Sequence, residues 1–185
     1  MKKVTFITGN QKKADYLARY LGHHVEHIKI DLDEIQSLDL RVVVRHKLLQ
    51  AYAQVQGPVL VEDVSFEFHA LGRLPGTFSR WFIDEIGLDG LCTLITTPDR
   101  SATARCIFGY FDGEEECYFE GSLEGTIAQI PVGEGGYGFD KIFIPKGYTI
   151  TRAQMSEEDD KKTYIQMKPF QKIKEFLTRN SKVVS

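Results

Sequence analysis

The chain has 185 residues, and its 23 lysine and arginine side chains against 26 aspartate and glutamate side chains give a net charge of −3 at pH 7. That balance excludes the broad basic surface that binds duplex nucleic acid or acidic membranes, so a phosphate must be bound by a local group of residues. The length predicts a single domain over residues 1–185. No apolar run approaches the ~20 residues that span a bilayer, and no apolar signal segment is seen at the N-terminus. We therefore expect a soluble, cytoplasmic protein without nucleic-acid or membrane partners.

Short apolar runs alternate with helical patterns through the first half of the chain, which predicts an α/β fold. The predicted strands are 3–8, 25–30 and 59–61, and the predicted helices are 11–21, 39–56 and 80–95, the last interrupted at Gly87.

The second half is predicted to begin with strands. Asp112-Gly113 is a hairpin signal between them. The predicted strands are 102–111, 115–121, 122–129 and 142–144, followed by a charged loop and a helix over 170–179. The two halves are expected to form lobes of one domain with a cleft between them.

The three cysteines, Cys92, Cys106 and Cys117, are far apart and lack the spacing of a metal site. Free cysteine is usually buried and inert in proteins. We expect reduced thiols that take part in packing.

Residues 5–13, TFITGNQKK, lead from a strand through a glycine turn into a helix. The first N–H groups of a helix lack intrahelical partners, and the macrodipole adds about half a positive charge there. Gly9 can adopt dihedrals closed to other residues, and Asn10 can cap the helix. Lys12 and Lys13 oppose the helix dipole unless an anion is bound. The pattern favours phosphate binding, and a surface turn with solvated lysines is the alternative.

Two acids, Glu62 and Asp63, come directly after the third predicted strand, at the sheet edge where ligands of α/β proteins bind. Neighbouring strand residues face opposite ways, so we expect one of the pair to point into the site. Such a carboxylate can hold Mg²⁺ or deprotonate an attacking water, and solvated acids are the alternative. The acidic segment 31–34 lacks basic partners in the sequence, and we expect solvent to separate its charges.

Three other places could contact a nucleotide. Lys47 lies in an apolar stretch of its helix, so its ammonium reaches either the site or water. Arg80 precedes Trp81, and a guanidinium beside an aromatic ring suits phosphate or base contacts, although a lone tryptophan is more typical of a core. The loop Tyr137–Asp140 offers aromatic faces on which a base can stack and a carboxylate acceptor, or is an ordinary hairpin.

Taken together, these segments resemble the inosine triphosphate pyrophosphatase family, whose members remove deaminated purine nucleotides. The resemblance extends over nearly the whole chain in the motifs TGNQKK, DLDEIQ, GPVLVED, ALGRLPGTFSRWF, GYGFDKIFIPKGY and AQMSEEDDK. It implies an elongated α/β fold with a curved mixed β-sheet, two lobes and a central active cleft, and usually a homodimer. It also implies Mg²⁺-dependent hydrolysis of a nucleoside triphosphate to a monophosphate and pyrophosphate.

The resemblance also assigns roles by position. Asp63 would orient the water and, with Glu34, bind the metal, while Lys13 and Lys47 would stabilise the developing charge. The substrate-binding set that it implies is Thr8, Gly9, Asn10, Gln11, Lys12, Lys13, Lys47, Asp63, Arg80, Tyr137, Gly138, Phe139, Asp140 and Lys161, with Lys162 as the alternative to Lys161.

The sequence departs from the family at its C-terminal segment. Family members carry Ser-His-Arg there, and that motif donates hydrogen bonds to the six-position oxygen of the purine. Here Tyr164, Ile165, Gln166 or Met167 stands in its place, depending on the alignment. Losing such donors weakens the rejection of adenine, so we expect an altered or relaxed base preference.

Three alternatives remain open from the sequence. A nucleotide-binding pseudoenzyme would keep the lysines without turnover, although Glu34 and Asp63 are both present. Maf-like pyrophosphatases share the architecture, but their serine-proline-arginine turn is absent. A nucleic-acid-binding module lacks both a basic stripe and an aromatic RNA-binding signature.

Overall fold

The computed structural model describes residues 3–22 and 24–179. Within this range the chain divides into two compact units. The first is drawn from the described residues of the segments 1–63, 107–120 and 169–185, and the second from 64–106 and 121–168. Both units are therefore built from discontinuous pieces of the chain, and three of the four boundaries between them fall inside strands.

The described strands form a mixed sheet. They are β1 (Thr5–Ile7), β2 (Glu26–Ile28), β3 (Val59–Phe68), β4 (Pro75–Gly76), β5 (Ser101–Phe111), β6 (Glu116–Ile127) and β7 (Phe143–Pro145). Their order is β2-β1-β3-β5-β6-β7, and β4 pairs with β3. β1 runs parallel to β2 and β3, with Thr5 opposite both Glu26 and Val59, whereas β3 with β4 and β6 with β7 are antiparallel. The α/β class with a mixed sheet is confirmed.

Five described helices accompany the sheet: α1 (Gln11–Leu21), α2 (Leu40–Val55), α3 (Ser79–Thr93), α4 (Glu157–Met167) and α5 (Phe170–Arg179). Short 3₁₀ helices lie at His69–Leu71 and Arg152–Gln154. The predicted break in α3 is confirmed, because Gly87 has a φ of 68° there. None of the described helices combines the length and apolar composition needed to cross a membrane.

The core of the first unit forms where α2 packs on the parallel strands. Asp39 caps α2 by accepting hydrogen bonds from the backbone N–H groups of Arg41 and Val42. Each buried aliphatic side chain in such a core stabilises the fold by about 1.5 to 3 kcal/mol. The buried cluster is Ile7, Leu40, Val44, Leu48, Ala51, Val59, Val61 and Ile107. This packing fixes the face of α2 that carries Lys47.

The last helix, α5, also docks on the first unit, as the sequence predicts. Ile173 and Leu177 are fully buried. The ring of Phe176 contacts those of Tyr110 and Phe119, with centroid distances of 4.8 and 5.3 Å. The predicted helix bounds, 170–179, are confirmed.

Two predicted strand boundaries are wrong. β3 continues through Glu62 and Asp63 to Phe68, because both acids are paired with lysines instead of being solvated at a strand end. β6 is one strand where the sequence suggested two, 115–121 and 122–129. Its Gly125 allows β7 to approach, since a Cβ there would lie 2.3 Å from the carbonyl oxygen of Ile144.

The predicted charged loop before α5 is wrong as well, because 11 of its residues, Glu157–Met167, form α4. Ser156 is the N-cap, and its hydroxyl accepts the backbone N–H of Asp159 at 3.2 Å. The four acids of the segment 157–160 occupy the first turn, where the helix dipole stabilises negative charge.

The predicted state of the cysteines is confirmed and that of the tryptophan is not. Cys92 and Cys106 are buried, Cys117 is half-buried, and none of the three forms a disulfide bond with another described cysteine. Trp81, expected in the core, has 61% of its surface exposed.

Candidate active site

The turn between β1 and α1 has the helix cap that the sequence predicts, but Gly9 does not adopt the positive φ that would require a glycine. The side chain of Asn10 accepts the backbone N–H of Lys13 at 3.3 Å and caps α1. The hydroxyl of Thr8 accepts the backbone N–H of Asn10 at 3.1 Å, which closes the turn around Gly9. Gln11 donates to Asp15 along the helix at 2.8 Å. The turn is therefore ordered by its own side chains before any ligand binds.

The two lysines in the first turn of α1 differ in their surroundings. Lys12 is exposed. The Lys13 ammonium lies 3.4 Å from Oε2 of Glu62, whose side chain is only 2% exposed. A buried carboxylate of this kind needs a compensating cation, which Lys13 supplies.

The centre of the candidate site in the first unit is a group of three charged side chains, which we call the Lys47 group: Lys47, Glu34 and Asp63. Nζ of Lys47 donates to Oε1 of Glu34 at 2.8 Å and to Oδ2 of Asp63 at 2.7 Å. The Lys47 side chain is only 12% exposed, so its ammonium faces carboxylates instead of extending to water. Glu34 thus has a basic partner, which corrects the prediction that solvent separates the charges of the segment 31–34.

The charges of the Lys47 group determine the protonation of its lysine. Burial opposes the charged ammonium, but the carboxylates of Asp63 and then Glu34 outweigh it, and the pKa of Lys47 is raised. The ammonium therefore stays charged at neutral pH and can meet phosphate oxygens.

Gln50 is a positioning residue of this group that sequence reasoning missed. Its side-chain oxygen accepts the backbone N–H of Asp33 at 3.0 Å, and its amide nitrogen donates to the backbone carbonyl of Asp33 at 3.2 Å. Gln50 lies three residues after Lys47 on α2, hence on the same side of that helix. That spacing is the signal that could have identified it.

The Lys47 group fits a divalent cation by the chemistry of its donors. No group of three or more potential metal ligands occurs among the residues that the structure describes. Mg²⁺, however, is often held by only one or two carboxylates, with water and substrate phosphates completing its ligands. The oxygens of Glu34 and Asp63 lie 2.8 and 2.7 Å from the same nitrogen, so they are at most 5.5 Å apart. Two carboxylates this close suit such a cation.

The loop Tyr137–Asp140 belongs to the second unit, and its aromatic residues have different environments. Phe139 stacks on Phe66 with a centroid distance of 3.9 Å and an interplanar angle of 10°. One face of Phe139 is therefore used inside the protein. Tyr137, which is separated from Phe139 by Gly138, is exposed. Its ring is free to contact a base by stacking.

Asp140 is buried and already bonded within the protein. Its Oδ2 accepts the backbone N–H of Tyr137 at 2.9 Å, and its Oδ1 accepts a hydrogen bond from Arg152 at 3.0 Å. Burial raises the pKa of Asp140, and the guanidinium of Arg152 opposes that shift. Arg152 is a second residue that sequence reasoning missed, since it belongs to no recognised motif. The contact of Asp140 with a base stays a prediction.

The remaining predicted residues lie at the surface of the second unit. The Arg80 side chain is 79% exposed and approaches Asp84 of the same helix at 3.7 Å. Lys161 is exposed, and Lys162 pairs with Glu158 at 2.9 Å. Among the residues that could stand in place of the family's Ser-His-Arg motif, Tyr164 and Met167 are buried whereas Ile165 and Gln166 are exposed.

The fold and the two ion-paired lysines define the chain as an α/β protein with a site suited to an anion and a divalent cation. A sequence model of the Ham1 family matches residues 4–176. The chain belongs to the Ham1 family, so the resemblance found in the sequence is confirmed.

The comparisons with individual proteins agree. The chain is 43% identical to inosine triphosphate pyrophosphatase 2 of Trypanosoma cruzi (strain CL Brener) over 162 residues, which cover 85% of this chain and 83% of that one. It is 38% identical to the inosine triphosphate pyrophosphatase of Yarrowia lipolytica (strain CLIB 122 / E 150) over 184 residues, or 96% and 97% of the two chains. The solved structure of the Staphylococcus aureus Ham1 protein superposes with a TM-score of 0.82 at 26% identity, covering 97% of this chain and 100% of that one.

Proposed function

We propose that this protein is a Mg²⁺-dependent nucleoside triphosphate pyrophosphatase. It hydrolyses ribo- or deoxyribonucleoside triphosphates, above all deaminated purine nucleotides such as ITP, dITP and XTP, to a monophosphate and pyrophosphate. The observation that carries the proposal is the Lys47 group, in which one charged ammonium lies between two carboxylates. The names of the relatives from Trypanosoma cruzi and Yarrowia lipolytica support the same activity.

Residues of the first unit are assigned to the triphosphate. Lys12 and Lys13 carry ammonium groups in the first turn of α1, and Lys47 on α2 adds a third beside Asp63. Cations placed where negative charge develops stabilise the transition state of phosphoryl chemistry. The capped turn supplies backbone N–H donors at a helix N-terminus, the usual place for a phosphate. The assigned residues are Thr8, Gly9, Asn10, Gln11, Lys12, Lys13 and Lys47.

Glu34 and Asp63 are assigned to the metal, and Asp63 also to the water. Mg²⁺, when bound, would neutralise phosphate charge and polarise the phosphorus centre. Asp63 is the better base because its backbone is fixed in β3, whereas Glu34 lies outside any strand or helix. Its carboxylate would orient the water for attack on the α-phosphorus and accept the proton, and pyrophosphate would leave.

Residues of the second unit are assigned to the base. Tyr137, which is exposed, offers a stacking surface, and Gly138 and Phe139 shape the loop beside it. Arg80 and Lys161 remain candidates for polar contacts. Without the Ser-His-Arg donors, discrimination against adenine should be weaker than in relatives that keep them.

The experiment that tests this function is pyrophosphate release from ITP, XTP, dITP, ATP, GTP, UTP and CTP with Mg²⁺. We expect release from the deaminated purine nucleotides and a measurable rate with others. The Asp63→Asn variant is the control for contaminating activity. Nucleotide binding without release of pyrophosphate from any of the seven would instead identify a pseudoenzyme.

Four other predictions from the sequence concern the protein as a whole. A single domain over residues 1–185, a homodimer, a cytoplasmic location and the absence of nucleic-acid and membrane partners stay predictions. The oligomeric state can be read directly by light scattering of the purified protein.

A further inference from the structure

A buried arginine, Arg152, joins two segments of the second unit. Its Nη1 donates to Oδ1 of Asp140 at 3.0 Å, and its Nη2 donates to Oδ1 of Asp160 at 2.6 Å. The side chains of Arg152 and Asp140 are 4% and 5% exposed. Buried ion pairs are screened little, so the pair with Asp140 constrains geometry more strongly than a surface pair does, whereas the Asp160 side chain is 30% exposed.

The first of these segments is the loop Tyr137–Asp140, whose backbone is organised around Asp140. The side-chain carboxylate of Asp140 accepts a hydrogen bond from the backbone N–H of Tyr137. The backbone carbonyl of Asp140 accepts one from the backbone N–H of Ala153 at 3.1 Å. Gly136, with a φ of 75°, leaves no room for a larger residue, since a Cβ there would lie 2.5 Å from Cβ of Asp140. A residue that fixes the Asp140 side chain therefore fixes the conformation of the loop.

The second segment is α4. Asp160 lies in its first turn, and the Arg152 guanidinium carbon also lies 5.7 Å from the ring centroid of Tyr164. Tyr164 is buried, and Ile165 and Gln166 directly after it are exposed. These positions replace the missing Ser-His-Arg motif, so Arg152 contacts both segments that we assign to the base or its neighbourhood.

The chemistry of the contact requires a guanidinium. An arginine presents separate N–H donors on a rigid plane and can bond two carboxylates at once in fixed directions, whereas lysine has one point charge. Nε of Arg152 is buried and has no hydrogen-bond partner among the described residues. The two carboxylates are therefore the hydrogen-bonding groups that set the orientation of the guanidinium.

We infer that Arg152 is a positioning residue for base recognition, which holds the loop Tyr137–Asp140 and α4 in the arrangement that selects the nucleotide base. The inference rests on the proposed function, because the base is assigned to this part of the protein. In this role Arg152 acts through its hydrogen bonds to Asp140 and Asp160.

Arg100 offers a matched control within the same unit. It too is a partly buried arginine, and it donates to the backbone carbonyls of Cys92, Ile95, Ile127 and Ala128 at 2.7 to 3.1 Å. It bonds neither Asp140 nor Asp160. Removing Arg100 should weaken the fold without changing the loop Tyr137–Asp140.

The test compares Arg152→Met, Arg152→Lys, Asp160→Asn and Arg100→Met in the full chain. We expect Arg152→Met to raise the KM for ITP about tenfold or more with a smaller effect on kcat, because the loop must then be ordered when the nucleotide binds. The ratio of kcat/KM for ITP to that for ATP should fall as well. Arg152→Lys and Asp160→Asn, which keep one ion pair, should fall between wild type and Arg152→Met. Arg100→Met should lower Tm with both kinetic quantities unchanged.

A second readout needs no activity. Hydrogen exchange of the amides of Tyr137, Asp140 and Ala153 should be about tenfold faster in Arg152→Met and unchanged in Arg100→Met, since local opening sets the exchange rate. If wild type releases no pyrophosphate, the proposed function fails, and this exchange measurement still decides whether Arg152 holds the loop. Unchanged exchange, or a loss of activity that is uniform across nucleotides and equal to that of Arg100→Met, would overturn the inference.

Discussion

Nζ of Lys47 lies 2.7 Å from Oδ2 of Asp63, and the same nitrogen lies 2.8 Å from Oε1 of Glu34. One ammonium is therefore shared by the two carboxylates that are assigned to the metal. A divalent cation and this ammonium are attracted to the same negative charge. Binding of the metal should be favoured when a phosphate provides the ammonium with another partner.

This relationship predicts that Lys47→Met binds a divalent cation more tightly in the absence of nucleotide. Removing the competing charge should increase the affinity for Mn²⁺, used as a probe for Mg²⁺, by about tenfold or more. Titration calorimetry or the spin resonance of free Mn²⁺ measures this directly. Lys146→Met, which removes an exposed lysine paired with Glu124, serves as control. Equal Mn²⁺ affinity in wild type and Lys47→Met would show that the ammonium does not compete.

Asp63→Asn should abolish most turnover and leave nucleotide binding largely intact. An amide cannot accept the proton of the attacking water, and general-base catalysis contributes about 10²- to 10⁴-fold. The measurement is kcat for pyrophosphate release beside the Kd for ITP. Glu62→Gln is the matched control, because Glu62 is the neighbouring residue on β3. This variant removes the ion pair with Lys13 and leaves the Lys47 group intact. An equal fall in kcat for the two variants would argue against a special role for Asp63.

The ion pairs of Lys47 also predict a dependence of stability on pH. The pKa of Lys47 is raised above its ordinary value of 10.5, because the charged form gains Asp63 and Glu34 as partners in the folded state. Its contribution to the free energy of unfolding is therefore complete below pH 10.5 and is lost as the pH rises through the higher folded pKa. Denaturant unfolding of wild type and Lys47→Met should converge above pH 10.5. A stability difference that instead grows with alkaline pH would have the wrong sign.

The N-cap of α4 gives a prediction about stability alone. Ser156→Ala removes the acceptor for the backbone N–H of Asp159 and should lower the free energy of unfolding by about 1 kcal/mol. Ser79→Ala is the control, since α3 begins after Phe78, which makes no side-chain cap bond. Urea denaturation of both variants tests the contrast. Equal stability of Ser156→Ala and wild type would mean that this cap contributes nothing.

The same helix shows why part of the fold could not be predicted from the sequence. The segment 157–167 has few apolar residues and four consecutive acids, so it lacks the periodic pattern by which α2 was predicted. Its stability depends on the cap at Ser156 and on tertiary contacts such as Arg152 with Asp160. Contacts that a helix makes with residues outside it leave no pattern within the sequence of the helix.

The strand β3 shows the same limit at the site. The sequence selected Glu62 and Asp63 as candidate site acids, and it suggested that the strand ended before them, whereas β3 continues to Phe68. A strand can continue through acids when each has a cation, and here Lys13 and Lys47 provide them from two separate helices. Motifs identified the residue types, and only the structure showed which residues pair.

The central claim is that water attacks the α-phosphorus of the nucleotide. The most direct test is to hydrolyse ITP with Mg²⁺ in ¹⁸O-water and to measure which product carries the ¹⁸O. Attack of water on the α-phosphorus predicts one ¹⁸O in the monophosphate and unlabelled pyrophosphate, formed in equal amounts and lost in Asp63→Asn. Release of labelled orthophosphate, or no pyrophosphate at all, would contradict the proposed reaction.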